Sequence, residues 1–458
     1  MADQLLVRAY NVGCGDCIYV CIPGGKDGFH ILIDCGKKGG DELLKKAVAH
    51  LKKDLPAGEK AGTTRLDLLV ATHRHEDHIK GFDPKLFEHV EVKNIWLSVA
   101  MDPKHPQAEG VRGLHDVATR QMRALAAGQA LGPDVELLAS MYGVSNDVAD
   151  ELLMQQLPKS NGVTARYVCS GMEHKLTLPP DTDLHILAPE RDIDHFYLGE
   201  ELDASLKGFQ GISAALGPVA GGAAVAERPP VNISATDFRV LQSRMLSNGL
   251  AFAAKESSIQ NNLSVVLLIE WKKRRLLFVG DAEWDGEFKD GKHNGSWNVM
   301  WEKHRKTHLS KPLDFLKIGH HGSINATPPP LSEQPKSKDA RKDGVYTILD
   351  TILPVPKAGT KPTAVAIVST EREFYDPIPD CKLLADLARR VSNTRVYGEV
   401  LAKKKVDPKS IWSTTKAKKN RFFEKYEKDF LNQAQPQRTD LEFVTEESDC
   451  VEVRIPPG

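Results

Sequence analysis

The sequence predicts an α+β fold in which short strands build a sheet sandwich interrupted by helical and loop insertions. Three observations carry that expectation. Short apolar runs bounded by Gly, Pro and Asp turns recur from Leu5 to Ile455, as strands do. Apolar residues at helical spacing lie between some of them, as at Leu44, Val48 and Leu51, which marks one face of a helix. Several apolar runs also end on residues that bind or orient metal: at Asp34, at His73 to His78, at Asp281 and at His320/His321. A site on one rim of a sheet sandwich produces that repetition.

In chain order, Leu5 to Ile22 contains strand-like runs broken by Gly13-Cys14-Gly15-Asp16. The turn from Pro23 to Gly28 leads into His30-Ile31-Leu32-Ile33, so these strands form a hairpin. Residues 41–53 read as a helix, Leu66 to Thr72 as a strand, and Asn94 to Leu97 as another. Residues 107–160 turn rich in Ala, Leu, Gln and Met and read as a helical insertion, with helical spacing through 115–131 and 145–157. Its Met and Leu positions suit packing. Strands return at 164–169 and at Leu184 to Leu187. Residues 191–250 form a second insertion, whose tract around Gly217, Gly221 and Gly222 reads as a loop. Strands follow at Leu263–Glu270, Leu276–Val279, Phe315–Ile318 and Ala364–Val368. A helix at Lys382–Arg390, a strand at Thr394–Leu401, a basic insertion at 402–437 and a closing strand at Val451–Ile455 complete the chain. Residues 1–458 read as one domain carrying three insertions.

Composition narrows the function classes. The 61 basic and 62 acidic residues nearly cancel, so net charge gives no overall pull toward nucleic acid or membrane. No apolar run approaches the ~20 residues that span a bilayer, and Met1-Ala2-Asp3-Gln4 lacks a secretory pattern. A cytoplasmic protein without a membrane partner is expected. Seven cysteines, an odd count in a long chain, argue against a disulfide framework. Cys14, Cys17, Cys21 and Cys35 match no standard paired zinc spacing and read as small apolar residues on adjacent strands.

The densest chemistry lies in Thr72-His73-Arg74-His75-Glu76-Asp77-His78. Three imidazoles and two carboxylates follow the buried-strand pattern Leu68-Leu69-Val70-Ala71, so a strand feeds a loop that presents ligands to one spot. Imidazole suits zinc, iron and manganese-like ions, and carboxylates ligate or bridge them.

His73-x-His75-x-Asp77-His78 resembles the H-x-H-x-D-H motif of the metallo-β-lactamase superfamily. Val12-Gly13-Cys14-Gly15-Asp16, Ile33-Asp34-Cys35-Gly36, Val279-Gly280-Asp281 and Gly319-His320-His321-Gly322-Ser323 are similar to further motifs of one branch, that of the soluble domain of the bacterial competence protein ComEC. Asn261-Asn262-Leu263-Ser264 and Arg438-Thr439-Asp440 also look like that branch. The resemblance implies a four-layer αββα sandwich with one or two divalent ions, zinc or manganese, at one edge. It implies that His73 and His75 hold the first ion and Asp77 and His78 the second. Asp281 would bridge, and one of His320 and His321 would complete the second site, with His321 favoured. Asp34 would orient the ligands, and Asp77 would receive or steer a proton as the catalytic residue. Lys317, Asn261 and Ser323 are candidate substrate contacts.

The departures are specific. The family's further histidine is replaced near Gln260, Asn261 and Asn262, which weakens the His73/His75 half. Phe374 to Pro379 lacks the branch's histidine. His89, His105, His115, His293, His304 and His308 read as surface or core residues outside the site. Residues 403–426 interleave Lys403, Lys404, Lys405, Lys416 and Arg421 with Trp412, Phe422 and Tyr426, a combination suited to single-stranded nucleic acid. The expected function is therefore a metallo-hydrolase, a phosphodiesterase or nuclease using a metal-bound hydroxide. The alternatives are a hydrolase of a small phosphoester, cyclic nucleotide or lactone, and a non-catalytic metal-binding scaffold. A protein partner is left open.

Overall fold

The structure is a computed structural model, which describes residues 3–128, 138–139, 141–143, 152–198, 235–286, 295–333, 344–360, 362, 364–369, 378–392, 442–446 and 450–458. The expected Gly217–Gly222 loop, the Thr394–Leu401 strand, Arg438 to Asp440 and the basic 403–426 segment lie outside the described residues, as do residues 370–377.

The chain is a mixed α/β structure. Strands β1 (Leu5–Tyr10), β2 (Cys17–Ile22), β3 (Phe29–Cys35), β5 (Leu68–Ala71), β7 (Ile95–Ser98), β8 (Arg166–Val168), β14 (Glu442–Glu446) and β15 (Cys450–Ile455) form one sheet in the order β14-β15-β1-β2-β3-β5-β7-β8. Strands β9 (Thr182–Ala188), β10 (Val266–Trp271), β11 (Arg274–Phe278), β12 (Phe315–Ile318) and β13 (Val365–Val368) form a second, in the order β13-β12-β11-β10-β9. The short strands β4 (Thr64–Leu66) and β6 (Val90–Val92) pair apart from both.

Alternation along the strands sends every second side chain to one face. Val7, Val20, Ile31 and Val70 of the first sheet thereby share one buried cluster with Leu267, Ile269, Phe278 and Phe315 of the second. Burying such side chains contributes about 1.5–3 kcal/mol each, so this shared layer holds the two sheets together. The opposite face of the first sheet packs Tyr19, Leu32 and Leu69 on Leu44, Val48 and Leu51 of α1 (Glu42–Asp54). The opposite face of the second packs Leu268, Leu277 and Leu316 on Trp297 and Met300 of α6 (Ser296–His304) and on Ile348 of α7 (Ile348–Ile352). A further helix, α8 (Cys381–Arg390), adds Leu387 to that layer.

Two insertions are helical where they are described. The 107–160 insertion contains α3 (Pro106–Gly128) and the short α4 (Leu157–Asn161). The second runs into α5 (Ala235–Asn262), a long helix that the sequence reading left unassigned. Helices α3 and α5 pack through Val111, Leu114 and Val117 against Phe252, Ala253 and Ile259.

Parallel pairing sets the position of the site. β3, β5, β7 and β8 run parallel, as do β11, β12 and β13. Their carboxyl ends therefore line one rim, the usual place for ligands in parallel sheets. The amide of Val265, just before β10, donates to the Thr72 carbonyl at 2.9 Å, which ties the two sheets together at that rim.

Candidate metal centre

Three strand ends deliver six side chains to one buried place. β5 leads into His73 and His75 and the short helix α2 (Glu76–Ile79), which carries Asp77 and His78. β11 leads to Asp281 and β12 to His321. Ligand atoms of His73, His75 and Asp281 lie within 4.8 Å of one another, and so do those of Asp77, His78 and His321. One Asp281 oxygen, Oδ2, faces both groups, at 3.7 Å from His73 Nε2 and 3.1 Å from His78 Nε2.

The outer partners fix the tautomers. Asp34 accepts from the Thr72 amide at 2.7 Å, from Thr72 Oγ1 at 2.8 Å and from His78 Nδ1 at 2.8 Å. His78 therefore carries its proton on Nδ1, and Nε2 turns inward with no hydrogen-bond partner. His321 Nδ1 donates to the Ser369 carbonyl at 2.9 Å, leaving Nε2 at 2.9 Å from Asp77 Oδ2. Thr72 Oγ1 gives its proton to Asp34, so at 3.1 Å it accepts from His73 Nδ1. His73 Nε2 then faces His75 Nδ1 at 2.9 Å. His73, His78 and His321 are each held from outside by an acceptor while the other nitrogen points in, the arrangement that outer carboxylates and carbonyls impose on metal ligands. Asp77 Oδ1 is also buried without a hydrogen-bond partner. Lone pairs converging on lone pairs, with orphaned inward atoms, fit a cation. These buried groups can hold a metal ion.

The electrostatics differ between the two groups. Burial disfavours the charged ring of His78 and of His321, but Asp281 and Asp34 hold His78, and Cys14 and Asp77 hold His321, well above the ordinary imidazole value, so a cation binding there displaces a proton from each. Burial, with the charges of His78 and His75, holds His73 well below the ordinary imidazole value. Burial pushes His75 down to about 3. Burial alone would raise Asp281, but His78 and His320 overcome it and hold the carboxyl well below its usual range. Neutral imidazoles and ionised carboxylates are the states that ligate. Backbone strain gathers here too. Asp34, His320 and His321 adopt φ of 57°, 42° and 52°, and non-glycine residues in the left-handed region cost about 1–3 kcal/mol each.

The remaining expected residues are placed unequally. His320 belongs to neither ligand group; its Nδ1 lies 3.1 Å from Ser323 Oγ, and its amide donates to Asp281 Oδ1 at 2.9 Å. Asn261 Nδ2 donates to Glu283 Oε1 at 2.7 Å, while its buried Oδ1 has no hydrogen-bond partner. Lys317 is not open to a substrate: its buried ammonium donates to Asp16 Oδ2 at 3.0 Å and to the Ile318 carbonyl at 2.8 Å.

Sequence reasoning missed two neighbours. The ammonium of Lys38 is fully buried 3.3 Å from Asp77 Oδ2, without a hydrogen-bond partner. Burial disfavours its charge, but Asp77 and Cys14 raise its pKa above the ordinary lysine value. Lys38 follows the Asp34-Cys35-Gly36 turn by two residues, and nothing in its local sequence announces an inward turn. Glu283, two residues after Asp281, is 5% exposed and pushed up to about 7 by burial. A carboxylate so close to Gly280-Asp281 was a signal the motif reading passed over.

The centre is roofed. His75 lies 3.5 Å from Ser257 Oγ of α5, and its ring centroid 6.3 Å from that of Tyr142. Tyr142 Oη donates to Glu256 Oε2 at 2.6 Å. The first insertion and the C-terminal part of α5 therefore contribute to the cover above His75, which is 1% exposed. The cysteines form no disulfide among the described residues, and Cys14, Cys17 and Cys35 are buried. No helix among them is long and apolar enough to cross a membrane. No family model and no curated protein matches the chain.

Proposed function

We propose that this protein is a divalent-metal-dependent hydrolase of phosphodiesters, built on a four-layer αββα sandwich of the metallo-β-lactamase kind. The observation that supports this reading best is the pair of His/Asp groups sharing Asp281 Oδ2 at the rim. Zinc or manganese in one or both groups would supply Lewis-acid polarisation of a phosphoryl oxygen and an acidified water.

The protein's own residues have separable tasks. Asp34, through His78 Nδ1, and Ser369, through His321 Nδ1, hold the imidazoles in register. Asp77, whose Oδ1 is free of hydrogen-bond partners, would accept or steer a proton from the attacking water; Lys38 and His321 overcome burial and hold its carboxyl well below the usual range, which favours steering. Lys38 adds a buried positive charge beside Asp77, which favours an anionic ester over a neutral lactone. The cover formed by Tyr142 and Ser257 over His75 favours a small phosphoester or cyclic nucleotide over a polynucleotide. That is the second reading, and a nuclease would need this cover to move. Residues 403–426 remain the proposed single-strand contact.

The test is hydrolysis of bis-p-nitrophenyl phosphate, cyclic nucleotides, single-stranded DNA and RNA in manganese or zinc, with Asp77→Ala as control. We expect cleavage of the small esters and a loss of about 10²-fold or more in Asp77→Ala. Cleavage of small esters without any polynucleotide selects the second reading. No ester cleaved under any metal loading, with metal still bound, would leave a scaffold.

A further inference from the structure

A second set of ligating side chains lies on the outer face of the five-stranded sheet, away from the Asp281 rim. Along β9, Leu184 and Ile186 enter the inter-sheet core, so His185 points to the opposite face. Along β10, Ile269 and Trp271 do the same, which turns Glu270 outward beside His185. His308, from the loop after α6, closes over the pair. Ligand atoms of His185, Glu270 and His308 lie within 4.8 Å of one another, and all three residues are half-buried.

One ligand–ligand distance matches a tetrahedral ion, and the other two lie within reach of one. Zinc bound at about 2.0–2.2 Å to nitrogen and oxygen places neighbouring ligand atoms about 3.3 Å apart. His185 Nε2 and Glu270 Oε2 are 3.2 Å apart. The rings of His185 and His308 have centroids 4.2 Å apart, and burial together with His185 lowers the pKa of His308.

The carboxylate is oriented from behind. Arg275 Nε donates to Glu270 Oε1 at 2.8 Å, leaving Oε2 toward His185. The same guanidinium also binds the carbonyls of His308, Lys311 and Pro312, so it fixes the loop that supplies the third ligand. His304 is a neighbour of a different kind. Its ring centroid is 5.6 Å from that of His308, but Nε2 pairs with Ser170 Oγ at 3.0 Å.

We infer that His185, Glu270 and His308 form a second divalent-metal site of the zinc type, separate from the Asp281 centre, which pins the loop after α6 to the sheet. With three protein ligands, a tetrahedral ion there would take its fourth ligand from water. It takes no part in the hydrolysis proposed above and stands or falls independently of it.

The test measures zinc bound to the full-length protein by equilibrium dialysis and elemental analysis. Wild type is compared with His185→Ala/His308→Ala and with His304→Gln. The double variant is expected to lose one equivalent of zinc, and His304→Gln to retain it. Glu270→Gln provides a milder change that keeps an oxygen for Arg275; it is expected to weaken this equivalent at least about 10-fold. Cobalt substitution gives a second readout, in which the double variant loses part of the tetrahedral absorption. Equal zinc content and equal cobalt spectra in wild type, the double variant and Glu270→Gln overturn the inference. So does a loss in His304→Gln as large as in the double variant. Should the double variant fail to fold, the Glu270→Gln measurement decides.

Discussion

Single residues carry most of the centre's character. Asp34 accepts three hydrogen bonds, one of them from His78. Asp34→Asn removes the anion behind that imidazole, and we expect zinc affinity to fall about 10–100-fold. Competition with a chromogenic chelator measures it, and unchanged affinity would remove Asp34 from the support of the centre. Glu283 gives a pH signature. Its pKa rises from 4.5 unfolded to about 7 folded, chiefly through burial. Between those values the folded state keeps a proton that the unfolded state has released, so stability falls as pH rises. At about 1.4 kcal/mol per unit, chelator-treated protein is expected to lose about 2–3 kcal/mol from this group between pH 4.5 and 7. Urea unfolding should show that slope in the wild type and lose it in Glu283→Gln; parallel slopes would refute it. His73, His75, Asp77, His78, Asp281 and His321 were legible as candidates because ligand-type residues end apolar runs; that pattern did not show that the ends converge, and the choice of these six rested on the resemblance of their motifs. Lys38 was not, because a lysine after a glycine turn looks the same whether it faces solvent or the interior.

At the level of elements, the rim depends on backbone packed against backbone. The amide of Gly36 donates to the Asp16 carbonyl at 2.8 Å, and the amide of Asp16 donates to the Asp77 carbonyl at 3.0 Å. The turn after β3 thus grips the first turn of α2. A Cβ on Gly36 would come within 2.2 Å of the carbonyl carbon of Asp77 and of the amide nitrogen of His78, a clash with backbone that cannot rotate away. Gly36→Ala is expected to displace α2, to destabilise by about 1–3 kcal/mol or more, and to weaken metal binding. Thermal unfolding with and without zinc checks this, and a variant with wild-type zinc stabilisation would contradict it. Strands were readable from short apolar runs, whereas α5 was not. Ser243, Asn248, Gly249 and Ser257 interrupt its apolar residues, so no clean stripe marks a buried face. Its order comes from packing Phe252, Ala253 and Ile259 on α3, a tertiary cause that local sequence does not display. That same packing brings Ser257 and Glu256 over His75, so the least legible helix shapes access to the most legible motif.

For the whole molecule, the last strand is laid beside the first. β15 pairs antiparallel to β1, with Arg8 directly opposite Glu452. Arg8 Nε donates to Glu452 Oε1 at 2.6 Å, Arg8 Nη1 reaches Asp54 Oδ2 at 2.5 Å, and Arg454 Nη2 donates to Glu452 Oε2 at 2.9 Å. Glu452 is 0% and Arg8 4% exposed. Breaking a buried pair leaves an uncompensated charge and costs about 3–5 kcal/mol, whereas replacing both partners by apolar groups is often neutral. Glu452→Ala should therefore destabilise by about that amount, while Arg8→Met/Glu452→Leu should lie within about 1–2 kcal/mol of wild type. Urea midpoints at constant slope measure both. The double variant separates the two roles this pair can have. If it is as unstable as Glu452→Ala, the ion pair itself anchors the closing strand. If it recovers, the apolar residues Val453 and Ile455, buried in the inter-sheet cluster, hold the strand in place. The charge pair then sets only its register against β1, because a one-residue slip would turn those two side chains out of the core.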